Sequence, residues 1–236
     1  MVRTERSFTM PRMITSALAS IIFFVGTPAL ALAQTAGTYA VTITNLTRGQ
    51  SFTPILVASH LQNFAMFTAG PVASEALSLL AEGGDTGPMT TVLQDSGSIL
   101  DIVTAEGLLN PGKSVTVMVA GDDIYPRISV AAMLIPTNDA FFAIQGMKLP
   151  KNNKTRIGTA VAYDAGSEPN DESCTSIPGP ICNGEGPSPA AGGEGFIHVH
   201  AGIHGIGDLV AADRDWRNPV ALITIVLVSE SGNASN

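Results

Sequence analysis

Five carboxylates and two side-chain amides fall into two short stretches, TND at residues 137–139 and DAGSEPNDE at residues 164–172, and neither stretch contains Lys or Arg. Clustered carboxylates and Asn carbonyls without a neutralising base suit a hard cation that takes six to eight oxygen ligands, and outside the cell that ion is calcium. The competing reading is that the acids only keep loops soluble. A second cluster is HVHAGIHG, which gathers His198, His200 and His204, three of the four histidines in the chain. On a strand His198 and His200 share a face and can grip one transition-metal ion. The alternative is that the imidazoles hydrogen-bond to loop carbonyls or to acids around Asp208 and Asp213. On that alternative no tight transition-metal binding is expected. Signatures of catalysis are missing: there is no G-x-S-x-G elbow and no H-E-x-x-H helix.

These residues need strands to position them. TYAVTITN puts Tyr39, Val41 and Ile43 on one face, the period of a half-buried strand over Thr38–Asn45, and Ile55–Ser59 is a shorter candidate. The string from Ala73 to Glu82 reads as a helix, with Ser74 as N-cap and Gly83 as stop, and a second short helix is expected after Pro88. Strands are then predicted at Ser114–Ala120, Arg127–Ile135, Ala140–Met147, Thr155–Tyr163, Phe196–His200 and Val220–Ser229. Such a succession, broken by Gly, Pro and Asn turns, predicts an all-β protein, an antiparallel β-sandwich of about eight strands with one or two short helices. The interval from Gly166 to Gly195 is expected to be one long surface loop.

If the central strands are consecutive antiparallel neighbours, the chain can be traced between the two ends of the sandwich. The strand ending at Ile135 delivers Asn138 and Asp139 to one end. The next strand descends, and the strand over Thr155–Tyr163 climbs back. It brings Asp164, Glu168, Asp171 and Glu172 to the end that holds Asp139. Asp122 and Asp123 precede the same strand that ends near Asp139, and nine extended residues put them roughly 30 Å away.

Compartment follows from the ends of the chain. Arg3, Arg6 and Arg12 precede an apolar run from Met13 to Leu32, and Ala31 and Ala33 flank Leu32 ahead of Gln34, the layout of a signal peptide cut between Ala33 and Gln34. The alternative, an uncleaved anchor, conflicts with Gly26 and Pro28 in a short apolar core. Cleavage removes three Arg and one Glu and leaves nine basic against nineteen acidic side chains. That balance argues against a nucleic-acid partner, which needs clustered Lys and Arg. Residues 34–236 are long enough for one self-sufficient domain. Only Cys174 and Cys182 occur, and in an oxidising compartment they are expected to close a small loop as a disulfide. Asn45, Asn153 and Asn233 open glycosylation tripeptides. Trp216, the single tryptophan, reads as a packing plug.

ISVAAMLIPTNDAFF (Ile128 to Phe142) and AYDAGSEPNDE (Ala162 to Glu172) together resemble the paired motifs of the spondin N-terminal domain family. There a serine-containing strand leads into a Pro-x-x-Asp-aromatic loop, and a Tyr-Asp-Ala-Gly-Thr-Asp loop follows. The resemblance spans residues 38–229, with specificity in these two motifs. It implies an eight-stranded sandwich like the synaptotagmin-type calcium domains, holding calcium through Asp139, Asp164 and Glu168. The clustering of oxygens in the two loops adds Asn138, Asp171 and Glu172 as candidate metal or loop ligands. Two departures stand out: Ala140 separates the acid from the aromatic, and Glu168 replaces an Asp. No thrombospondin-type repeats follow, so functions that depend on them do not transfer. HVHAGIHG is also similar to the copper-site strand of copper–zinc superoxide dismutases. That family needs more histidines than this chain owns, and dismutase activity is not expected. The overall expectation is a secreted, periplasmic or cell-surface module without a membrane span in its mature form, whose partner is an extracellular or surface protein or glycan. A small transition-metal enzyme built on the three histidines and a metal-free envelope protein are the rivals.

Overall fold

Alternation in the first segment produces a strand whose every second residue is buried, β1 (Ala36–Asn45). In a computed structural model, which describes residues 1–2, 36–152, 154–188 and 191–231, it is followed by β2 (Ser51–Phe52), β3 (Ile55–His60), α1 (Glu75–Gly83), α2 (Gly87–Asp95), β4 (Ile99–Ala105), β5 (Ser114–Gly121), β6 (Arg127–Ile135), β7 (Ala140–Lys148), β8 (Thr155–Asp164), β9 (His198–Val199), α3 (Ala211–Arg214) and β10 (Ala221–Ser231). The expected leader and its cleavage site, and the tripeptides at Asn153 and Asn233, lie outside the described residues.

All strand pairs are antiparallel, and the hydrogen-bonded order is β4-β3-β6-β7-β8-β10-β1-β5. The path folds into the expected sandwich because β8 changes partners midway. Its first half, Thr155–Ala160, pairs with β10, and its second half, from Val161, pairs with β7. At the outer edges Asp101 on β4 accepts the Ala120 N–H of β5 at 2.7 Å.

Two cores result. Val41, Ile43, Phe52, Val57, Val130, Phe142 and Ile223 fill the space between the sandwich faces. Leu56, Ala58, Ala131, Phe141 and Ala143 point the other way, against Leu77, Leu80 and Met89 of the helices. Successive side chains of a strand alternate faces, so Phe141 and Phe142 serve different cores. Each such burial contributes about 1.5–3 kcal/mol.

The helices cover the second core. Ser74 caps α1 as expected, accepting from Leu77 N at 3.3 Å, and the left-handed stop is Gly84 rather than Gly83. Strand β4 was not anticipated from sequence. Both of its faces are apolar, since Val103 and Ala105 join one core while Ile99 and Ile102 join the other, so no period of two is visible. The strand expected over Phe196–His200 shrinks to the two residues of β9. The stretch 166–195 is not a surface loop throughout: Glu168, Glu172 and Ile177 are buried, with Ile177 in the main core. Tight glycines allow this close packing. A Cβ at Gly193 would lie 2.5 Å from the Gly166 carbonyl oxygen.

Candidate metal centre

Register carries the two acidic loops together. Ala140 pairs with Asp164 across β7 and β8, and the Ala165 N–H donates to the Asp139 carbonyl at 3.2 Å. The Thr137 hydroxyl ties the first loop by donating to Leu134 O at 2.6 Å and accepting from Ala140 N at 3.2 Å. The second loop then wraps the first acid. Ser167 N–H (2.8 Å), its hydroxyl (3.2 Å) and Glu168 N–H (3.1 Å) all donate to Asp139 Oδ2. Asp164 turns its own loop, with Oδ1 accepting Gly166 N–H at 2.7 Å and Oδ2 accepting Asn170 Nδ2 at 2.6 Å.

Three oxygens stay empty in this network. Asp139 Oδ1 and both carboxylate oxygens of Glu168 are buried and find no hydrogen-bond partner among the described residues. No Lys or Arg pairs with either acid among the described residues. Burial, followed by the charge of Asp164, pushes Asp139 up to about 7. Burial pushes Glu168 up to about 7 as well, the neighbouring Ser188 side chain opposing it in part and the charges of Glu82, Asp139 and Asp171 adding to it. Buried ionised carboxylates without a counterion are strongly disfavoured, and a hard cation supplies what such oxygens lack. As the side chains stand, among the described residues no group of three or more His, Cys, Asp and Glu is already disposed to hold a metal ion. Occupancy therefore calls for small side-chain rotations or for backbone carbonyls and waters as additional ligands.

The other expected loop residues are engaged in building the loops. Asn138 Nδ2 donates to Asp171 Oδ1 and to Ser176 Oγ, both at 3.2 Å, and its Oδ1 accepts Glu172 N–H. Glu172, buried and with a left-handed φ of 55°, accepts the backbone N–H groups of His204, Gly205 and Ile206 at 2.5, 2.8 and 3.0 Å. It closes this end of the sandwich by holding the histidine loop to the acidic one. The Cys174–Cys182 disulfide fastens the same region, and Asp208 Oδ2 accepts Cys174 N–H at 2.8 Å.

The histidines find a different acid from the one anticipated. His198 Nε2 and His200 Nε2 each lie 3.8 Å from Asp164 Oδ2, beyond direct hydrogen-bond range, whereas Asp208 serves Cys174. The reason is register: β9 pairs with the end of β8, which puts His198 opposite Asp164. Gly202 N–H donates to His200 Nδ1 at 2.9 Å, so the neutral ring carries its proton on Nε2, facing the carboxylate. His198 has the opposite arrangement, with Nδ1 donating to Phe196 O at 3.1 Å. His198, His200 and His204 line a cavity of about 230 Å³ with Asp164, Asn170 and Glu194. Burial lowers the His200 pKa, with Asp164 opposing. Trp216 is buried against the His200 ring at 5.0 Å, the packing role expected of it.

Asn45 is not available for glycosylation in the folded chain. It is buried, its Nδ2 donates to Gln50 O and Leu109 O, and its Oδ1 accepts from Thr47. Sequence reasoning also passed over Glu82, a buried acid in the last turn of α1. Its signal was available, since a carboxylate in a helix's last turn opposes the helix dipole.

Antiparallel β-sandwich, helical cover and a buried acidic loop end together define a β-rich domain. The Spondin_N family profile matches residues 38–174, more than half of the chain, and the chain belongs to that family. No curated protein matches it in sequence. The disulfide and the family are consistent with an extracellular protein, and among the described residues no helix is long and apolar enough to cross a membrane.

Proposed function

We propose that this is an exported binding domain whose acidic loop end takes up one calcium ion through Asp139, Asp164 and Glu168, and that the ion fixes the loops which meet an extracellular or surface protein or glycan. The observation that carries this reading is the set of buried, unpartnered oxygens on Asp139 and Glu168. When bound, calcium supplies the positive charge that these carboxylates otherwise lack. The residues present suit it: all three offer oxygen, and calcium accepts irregular sets of six to eight oxygens from side chains, carbonyls and water. Asp139 Oδ2 and Asp164 are already oriented by loop N–H groups, so the chain contributes preorganisation as well as charge.

The tautomer of His200 weighs against the rival transition-metal enzyme. A neutral ring ligating through Nε2 needs its proton on Nδ1, where Gly202 N–H already donates. Calorimetric titration of calcium chloride into protein stripped of divalent ions tests the proposal. One site per chain supports it, and absence of binding at millimolar calcium overturns it. Elemental analysis separates the rival: stoichiometric copper, zinc or iron, lost in His198→Ala, favours the enzyme.

A further inference from the structure

The three strand-end carboxylates are joined by a fourth from another layer. Glu82 on α1 is 3% exposed, and no basic residue shares the last turn of its helix. Its Oε2 accepts Ser188 N–H at 2.9 Å. Across a cavity of about 250 Å³ it faces Ser167, whose N–H and hydroxyl hold Asp139 Oδ2. The next residue, Glu168, is fully buried with neither oxygen in a hydrogen bond of ordinary geometry among the described residues; Ser188, whose N–H serves Glu82, is also the polar neighbour of Glu168, which places the two carboxylates on either side of one residue. A single N–H bond does not offset the burial of one carboxylate beside another.

We propose that Glu82 is a further ligand of the cation, so that one calcium ion is shared between helix α1 and the loops at the ends of β6 and β8 and staples the helical cover to the sheet. This rests on the calcium reading above. Four carboxylates are within the charge that protein calcium sites tolerate, and a Glu from a helix end has the reach to bind through both oxygens. The proposal gives Glu82 a reason to sit at the wrong end of the helix dipole: calcium, rather than the helix, compensates its charge.

The test combines calcium calorimetry with amide hydrogen exchange over residues 75–83 and 164–168, on the wild-type protein, Glu82→Gln and Asp95→Asn. Asp95 is exposed at the end of α2 and lies outside the cavity that Glu82 lines. Calcium is expected to slow exchange in both segments of the wild type. Glu82→Gln should bind at least about tenfold more weakly and lose the calcium-dependent protection of α1, while Asp95→Asn keeps both. Wild-type affinity in Glu82→Gln, with α1 exchange indifferent to calcium, overturns the role of Glu82 and leaves the three-carboxylate site standing. A wild-type protein that takes up no calcium overturns both readings. Should Glu82→Gln fail to fold, the wild-type exchange pattern decides: protection confined to residues 164–168 rejects the staple, and protection spreading to 75–83 supports it.

Discussion

Acidic residues occupy both ends of the sandwich, and they live in different physical circumstances. Asp122 and Asp123 precede β6. Asp122 Oδ1 accepts the N–H groups of Ile124 and Tyr125 at 2.8 and 2.7 Å, and Asp123 meets Lys151 at 2.7 Å with both side chains about two-thirds exposed. Asp139 and Glu168, beyond the far end of the same strand, are fully buried and retain three unpartnered oxygens. At the first end backbone N–H groups satisfy the buried Asp122, and solvent and one lysine satisfy Asp123, so its charge carries no information about ligands. At the second end the fold has removed water without supplying a base, and that shortfall rather than the number of acids points to a cation.

The largest expected effect breaks the comparison directly. A ligand that binds only the native state adds about 2.7 kcal/mol at a hundred times Kd, roughly 5–10 °C in melting temperature for a domain of this size. Asp164→Asn should abolish most of the calcium-dependent shift, because it removes a ligand charge at nearly constant shape. Asp122→Asn should leave the shift intact. Equal loss in the two variants, followed by calorimetric melting with and without millimolar calcium, would place the site wrongly.

Next comes the latch formed by Glu172. Its carboxylate serves three backbone N–H groups, and burial makes their loss expensive. Glu172→Ala is expected to destabilise the protein by about 1–3 kcal/mol while leaving the calcium increment largely in place. Chemical denaturation in calcium-free and calcium-containing buffer separates the two quantities.

A pH series sharpens the contrast with a smaller effect. Asp139 and Glu168 have folded-state values raised from 3.8 and 4.5 to about 7. Their contribution to metal-free stability is present below about pH 4 and is lost as pH rises through about 7. Burial lowers His60 and His200 below 6.5, and their contribution runs the other way, lost as pH falls below that value. Calcium-free protein should therefore melt highest in mildly acidic buffer and lose stability towards pH 8. With calcium bound to the ionised carboxylates, the decline between pH 6 and 8 should disappear. Parallel melting curves across that interval would remove the two acids from the site.

Much of this was legible in the residues. Tracing β6, β7 and β8 as antiparallel neighbours suffices to bring Asp139 and Asp164 to one end, because strand direction is fixed once the turns are recognised. The cap at Ser74 is a local signal and was equally readable. The acid facing His198 was not, since β9 is only two residues long and its register against β8 depends on how residues 166–195 fold back over the loop end. Nor was the burial of Glu172, which arises from N–H groups of a turn more than thirty residues away. Glu82 belongs to a third kind: its position against the helix dipole was visible, but its proximity to Glu168 depends on how α1 docks against β6 and β7.

The smallest effect completes the comparison at the opposite end. Lys151 and Asp123 form the ion pair that a count of salt bridges would rank beside the buried acids. Both are largely in water, where the attraction is weak and salt screens it further. Ordering two exposed side chains offsets what remains. Lys151→Ala should therefore leave the melting temperature within measurement error, at low and high salt alike, and should not alter the calcium shift. A clear loss of stability on this substitution that vanishes in 1 M salt would mean that charge at this end does more than its exposure implies. The contrast between a solvated end and a desolvated end would then need to be redrawn around charge alone.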